Sequence, residues 1–477
     1  MSDFVPSVRP RFHFTPERHW LNDPNGLVYV DGVYHLFFQH NPEAIDWGNM
    51  SWGHATSTDL LTWDERPVAI RWDDEEDVWS GSAVVDNDNV SGLGADGAPV
   101  LVAIYTSNRR DGIQAQSLAS SVDGGETWIK YPGNPVLDRR SNGFRDPKVL
   151  WFTADDGSGY WVMVAVEAES REVVIYRSDD LIRWDYLSTF GPAGATEGIW
   201  ECPDLFELRV DGGDKTAWVL ILSVGGYGPN GGTAMQYFVG DFDGTAFTPQ
   251  GADGAPRWMD GGRDFYAAVT FFGAPDDRRI AIAWMSNAQY AAHIPTSPWR
   301  GAMSVPRELT LEIRAGLATL VQRPVAELAA LGRAVDAVVV QDAALAAAIE
   351  LPVPRQYRLD IEARVGDTDA FVMELCGLVF SYTPADGILA CERLAAGARA
   401  VAPEFAGVSR AAVRAVGGVL SVTVIVDECS VELFAADGEL AMTHLFFGDS
   451  PDGVARLRSV GAPARLVSAR LTPLGGS

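Results

Sequence analysis

Two short phrases recur along this chain at nearly even spacing, and this recurrence limits the possible folds more than any other feature. The first phrase is a polar turn that closes on an aromatic residue. It runs Ser57-Thr58-Asp59-Leu60-Leu61-Thr62-Trp63, returns as Ser121 to Trp128 and Ser178 to Trp184, and recurs more loosely from Asp241 to Phe247. Its aspartates, Asp59, Asp123, Asp180 and Asp243, are 64, 57 and 63 residues apart. A second series keeps step with the first, each member a polar or acidic group just ahead of an apolar run: Asp23, Ser80, Asp146, Glu201 and Asp264. Long helical periodicity is absent, and the runs between the phrases are short and rich in Val, Ile, Tyr, Phe and Trp, as strands are. Asp31-Gly32 between two such runs is a hairpin signal. Units of about 60 residues with several strands each are read as propeller blades. Five units give an all-β, five-bladed β-propeller.

In such a ring the equivalent strand of every blade lines the axis, so residues at the strand starts converge on one funnel. Asp23, Ser80, Asp146, Glu201 and Asp264 are therefore expected in one pocket. Taken alone, Asp23-Pro24-Asn25-Gly26 is only a good turn sequence. Independent surface turns would leave both the spacing and the shared phase to coincidence.

Beyond residue 324 the pattern changes. Residues 325–350 are Ala-rich with near-helical apolar spacing and are expected to be a linker with a short helix. From residue 351 to 477, clean alternation as in Tyr357 to Ala363 predicts a C-terminal β-sandwich. The domains expected are thus a propeller over 1–324, a linker over 325–350 and a sandwich over 351–477.

A formal net charge of −27 argues against nucleic acid or an anionic membrane as partner and favours a neutral substrate. Four cysteines in 477 residues make neither a disulfide scaffold nor a metal site. Residues 1–20 show no apolar signal segment, so a cytoplasmic protein is expected, or a secreted one if a leader precedes this sequence. The oligomeric state is left open.

Three carboxylates at one funnel, Asp23, Asp146 and Glu201, suit displacement at an acetal carbon: one attacks or activates water, one protonates the leaving oxygen, and one steadies the transition state. Ca²⁺ would be the metal alternative, but no D-x-D-x-D ligand loop accompanies them, so neither metal nor cofactor is expected. Cys202, Pro203 and neighbouring carboxylates should favour the protonated form of Glu201, while a turn rich in N–H donors should keep Asp23 ionised.

Together, Trp20 to Gly26, Arg145-Asp146-Pro147 and Glu201-Cys202-Pro203 resemble the signature motifs of glycoside hydrolase family 32, the invertases, exo-inulinases and levanases. The likeness extends through Phe38-Gln39, Trp47-Gly48, Trp79 to Ser82, Trp284 to Asn287, Ser304 to Glu308 and Asp427 to Glu432. It implies a retaining hydrolase of β-fructofuranosides. By this resemblance Asp23 is the nucleophile, Glu201 the acid and then the base, and Asp146 the transition-state stabiliser beside Arg145. Asn22, Gln39, Trp47, Trp79 and Ser80 line the fructose pocket, with Asp264 and Trp284 added to it. Phe144, where many invertases have Ser, points to an exo-acting fructanase. The rivals are a fructosyltransferase sharing the covalent intermediate, an inverting arabinan hydrolase, a sialidase, for which the arginines are too few, and a sugar-binding protein without catalysis.

Overall fold

The computed structural model describes residues 8–251, 254–332, 337–366, 368–394, 400–447 and 453–475. Five antiparallel sheets form the first domain, each from one stretch of chain: residues 19–70, 76–141, 144–190, 199–258 and 266–324, here blades 1 to 5. The ring closes where blade 5 meets blade 1. Val28 bridges Phe272 in parallel, and Trp299–Arg300 adds a short parallel strand against His19 and Trp20.

The recurrent turn phrase is a structural joint. In blades 1 to 4 it links the third strand to the outermost one. Asp59 Oδ1 accepts the backbone N–H groups of Leu61 and Thr62, and the Trp63 indole donates to the Leu60 carbonyl at 3.1 Å. Asp180 and Trp184 repeat these bonds with Ile182, Arg183 and Leu181. In blade 2 Asp123 accepts from the Thr127 N–H and Trp128 donates to the Gly125 carbonyl. Asp243 keeps only the carboxylate half of the pattern, accepting from Thr245 and Ala246. The Asp31-Gly32 hairpin forms as expected, both residues having positive φ (51° and 85°).

Apolar runs such as Val100 to Tyr105 are buried on both faces because adjacent blades pack over them. That double burial explains why they read as continuous rather than alternating.

The second domain is a sandwich of two six-stranded sheets whose alternating residues, for example Tyr357, Leu359, Ile361 and Ala363, fill one core. The expected linker is different in part. A short 3-10 helix does occupy Ala326–Leu331, but Val338–Ala344 and Ile349–Pro352 are edge strands, one in each sandwich sheet. The first of these edge strands, Val338–Ala344, is mostly exposed, so no alternation is demanded of it.

The two domains meet through buried charge. His13 bridges Asp427 (2.9 Å) and Glu432 (3.0 Å), while Arg307 joins Glu432 (2.6 Å) to Asp260 (3.0 Å). At Gly262 a Cβ would lie 2.2 Å from the Thr443 carbonyl oxygen, so only glycine permits this approach of the two backbones.

Candidate active site

All five innermost strands carry a register irregularity near their start: between Leu21 and Pro24, Trp79 and Gly81, Arg145 and Lys148, Glu201 and Asp204, and Tyr266 and Val269. Such bulges bend a strand and re-aim its side chains. In blades 3, 4 and 5 the residue after the last paired one has positive φ: Asp146 (61°), Cys202 (45°) and Ala267 (54°). Left-handed backbone at a non-glycine residue costs of the order of 1–3 kcal/mol and collects at functional sites. Here it turns Arg145, Glu201 and Tyr266 into the funnel.

The result is a cavity of about 370 Å³ lined by Trp20, Asn22, Asp23, Gln39, Trp47, Trp79, Ser80, Arg145, Asp146, Glu201, Tyr266, Trp284 and three alanines, Ala288, Ala291 and Ala292. Asn22, Asp23, Gln39, Trp47, Trp79, Ser80, Arg145, Asp146, Glu201 and Trp284 are thus brought together as the sequence suggested. Asp264 is not. It is fully buried outside the cavity, with its carboxylate held by Arg393 and Tyr290. Aligning blades by their bulges shows why: the counterpart of Arg145 and Glu201 in blade 5 is Tyr266, two residues later. Tyr266, Trp20 and the three alanines are the lining residues that sequence reasoning missed. Phe144 is also away from the cavity, packed in the core against Tyr176, so its identity does not reach the substrate directly.

The carboxylates form one hydrogen-bonded set. Ser80 donates to Asp23 Oδ2 at 2.7 Å. The Cys202 N–H donates to Asp146 Oδ2 at 3.0 Å, and its thiol lies 3.6 Å from that oxygen and 3.7 Å from Asp23 Oδ2. Glu201 accepts from Arg145 on Oε1 (3.0 Å) and from the Tyr266 phenol on Oε2 (2.6 Å). Gln39 is locked by donation to Asn25 Oδ1 at 2.7 Å, and Asn22 accepts from the Trp20 indole at 2.7 Å.

The electrostatics depart from the sequence expectation. Among the described residues no backbone N–H donates to Asp23. Loss of water raises its pKa above the ordinary carboxylate value, the Ser80 bond opposes this, and the Glu201 charge adds to the rise. Asp146 is raised mainly by burial too, against the pull of Arg145. Glu201 faces a guanidinium and a phenol as well as like charge. Among the described residues, no cluster of three or more His, Cys, Asp or Glu has an arrangement that could hold a metal ion.

Beneath the carboxylates the axis is shut. The next void, between Pro24, Ser80, Asp146 and Cys202, measures only about 10 Å³. Lys148 crosses from blade 3 to Asp204 of blade 4 at 3.0 Å and to the Thr270 carbonyl of blade 5.

Profiles of the glycosyl hydrolases family 32 N-terminal and C-terminal domains match residues 13–324 and 346–473. The chain belongs to glycosyl hydrolase family 32. A relative in this family, the levanase of Bacillus subtilis, is 41% identical over 483 residues, covering 98% of this chain and 70% of its own. Among solved family-32 structures, the exo-inulinase of Aspergillus awamori superposes with a TM-score of 0.93 at 36% identity over 99% of both chains. The β-fructofuranosidase of Schwanniomyces occidentalis, complexed with fructosyl-erythritol, gives 0.89 at 34% identity over 98% of both.

Proposed function

We propose that this β-fructosidase releases single fructose units from the non-reducing ends of fructans, and fructose from sucrose, with retention through a fructosyl-enzyme ester. In the first step an Asp23 oxygen bonds to C2 of the fructosyl ring while the C2–oxygen bond to the leaving group breaks. The leaving oxygen takes that electron pair and a proton from Glu201. In the second step Glu201 removes a proton from water, whose oxygen bonds to C2 as the ester bond breaks and Asp23 recovers its carboxylate. Asp146, beside Arg145, hydrogen-bonds the sugar hydroxyls and supports the cationic transition state. Trp47, Trp79 and Trp284 offer apolar faces to the ring. Neither step requires a metal.

The observation that carries exo action is the blind pocket. It sits at the small end of ligand sites, and the Lys148 crossing closes its floor. A chain cannot thread through, so only a terminal ring reaches Asp23. An internal unit would lack free hydroxyls for the buried polar groups, at about 1–3 kcal/mol for each one left unpaired. A time course on inulin and levan tests this. Early free fructose with little fall in mean chain length is expected, and a ladder of oligosaccharides ahead of fructose would show endo cleavage instead.

A further inference from the structure

The segment that carries Asp264 into blade 5 is held by the sandwich as well as by the propeller. Gly261 donates its N–H to the Ala441 carbonyl at 2.8 Å, and Arg263 and Asp264 donate to the Thr443 carbonyl at 3.1 and 3.2 Å. The edge strand Leu440–Leu445 answers with backbone donors to carboxylates of that segment: the Thr443 N–H donates to Asp260 (2.9 Å) and the Leu445 N–H to Asp264 Oδ2 (2.8 Å). A sheet edge that would otherwise be unpaired is thus covered by propeller chain.

Arg393, from the other sandwich sheet, fastens the joint. It is 3% exposed, and its guanidinium reaches Asp264 Oδ2, the Tyr290 hydroxyl (2.8 Å), and the carbonyls of Leu445 (3.0 Å) and Phe405 (2.7 Å). It also stacks 3.8 Å over the Phe405 ring. Tyr290 closes the triangle by donating to Asp264 Oδ1 at 2.6 Å.

Both other corners of that triangle lead to the pocket. Two residues beyond Asp264, a span of about 7 Å at most, Tyr266 donates to Glu201 Oε2. Tyr290 stands among Ala288, Ala291 and Ala292, which wall the cavity. Asn287 ties the start of that wall to the Arg263 carbonyl at 2.8 Å.

We infer that Arg393 of the sandwich is a positioning residue of the active site, fixing Asp264 and Tyr290 so that Tyr266 holds the Glu201 carboxyl where the leaving oxygen needs its proton. The catalytic groups all come from the propeller, yet the geometry of one of them is set from the other domain. This inference rests on the reading of Glu201 as general acid.

The test compares sucrose, a poor leaving group, with an activated aryl β-fructoside that needs no protonation, in Arg393→Met, Tyr290→Phe and Tyr266→Phe and in the two double variants with Tyr266→Phe. Because Glu201 is also the base for the fructosyl-enzyme common to both substrates, the comparison is made in kcat/KM, which reports the first step alone: disturbing the acid should lower it on sucrose on the order of tenfold and leave it on the aryl substrate within about threefold. In the Tyr266→Phe background, adding either upstream change should have almost no further effect on sucrose turnover. Equal losses of kcat/KM on both substrates, effects multiplying with Tyr266→Phe, or a lowered melting temperature with unchanged kcat/KM would each overturn the inference. If Arg393→Met does not fold, the Tyr290→Phe cycle decides, since it removes only one hydroxyl. Glu201→Gln is the control for the underlying reading: equal loss of kcat/KM on both substrates would defeat the acid role itself, whereas discrimination in kcat/KM by Glu201→Gln without discrimination by the clamp variants would defeat the clamp alone.

Discussion

Ser80 and Asp23, 57 positions apart, are joined by a 2.7 Å hydrogen bond from the serine hydroxyl to Oδ2 of the carboxylate. The bond favours the ionised form of an aspartate that burial pushes the other way. Since only the carboxylate can attack C2, the acid limb of the pH–rate profile should lie above the ordinary carboxylate range of about 4. In Ser80→Ala the limb should move to higher pH, with kcat at the optimum about tenfold lower. Profiles of kcat and of kcat/KM on sucrose measure both, and an unmoved or lower limb would contradict the assignment.

Asp23→Asn should fold normally and lose at least about a thousandfold in kcat, because an amide cannot form the ester. Its far-UV spectrum and melting curve should match the parent. Activity within tenfold of the parent would remove Asp23 from the nucleophile role.

The blade count could be read from the sequence because the turn phrase makes its own local hydrogen bonds, so its residue types are needed wherever the turn occurs. The three carboxylates could be read because each lies one or two residues before a proline near the start of a strand. Tyr266 could not: bulges shift the phase of the inner strands, and an acidic residue two positions early looked like the next member of the series. The joint between domains was equally hidden, since His13 meets partners 414 and 419 residues away. Solvent loss at Asp23 depends on walls supplied by every blade, which no local motif records.

Trp47 is 55% exposed, with its ring edge-on to Trp79 at 6.0 Å, so it forms a rim rather than a floor. Rim stacking contributes alike to ground and transition states. Trp47→Ala should therefore raise KM for fructans several-fold, on the order of 1 kcal/mol, with kcat nearly unchanged. Steady-state kinetics on inulin would show the split, and a fall confined to kcat would place Trp47 nearer the reaction.

His35 and His54 form a buried pair, Nδ1 to Nε2 at 3.0 Å, stacked with Phe37. Burial depresses them to about 4 and about 3, with Arg66 and, for His54, His35 opposing any further charge. The unfolded chain takes up protons near pH 6.5, and the folded chain resists until much lower pH. The stability present above 6.5 should thus be lost progressively as pH falls toward 3. His54→Gln should flatten the fall in melting temperature between pH 6.5 and 4, and an unchanged slope would assign acid lability elsewhere.

The alkaline side is governed by His13. Burial alone would lower its pKa, but hydrogen bonds to Asp427 and Glu432 hold it up at about 9. A folded-state pKa above the unfolded value of about 6.5 means that the linked stability is complete below pH 6.5, declines as pH rises, and is gone above 9. For a fully buried group, a shift of this size corresponds to the order of 3 kcal/mol. The chain beside His13 depends on the same carboxylate, since the Arg11 and Phe12 N–H groups also donate to Asp427. Losing the proton should therefore loosen the N-terminal segment against the sandwich before it affects the pocket. Melting temperatures measured from pH 6 to 10 should fall in the parent and stay nearly level in His13→Gln, which starts lower. Hydrogen exchange at Arg11 and Phe12 should accelerate over the same range in the parent. Parallel melting profiles for the two proteins would show that His13 is not the titrating group.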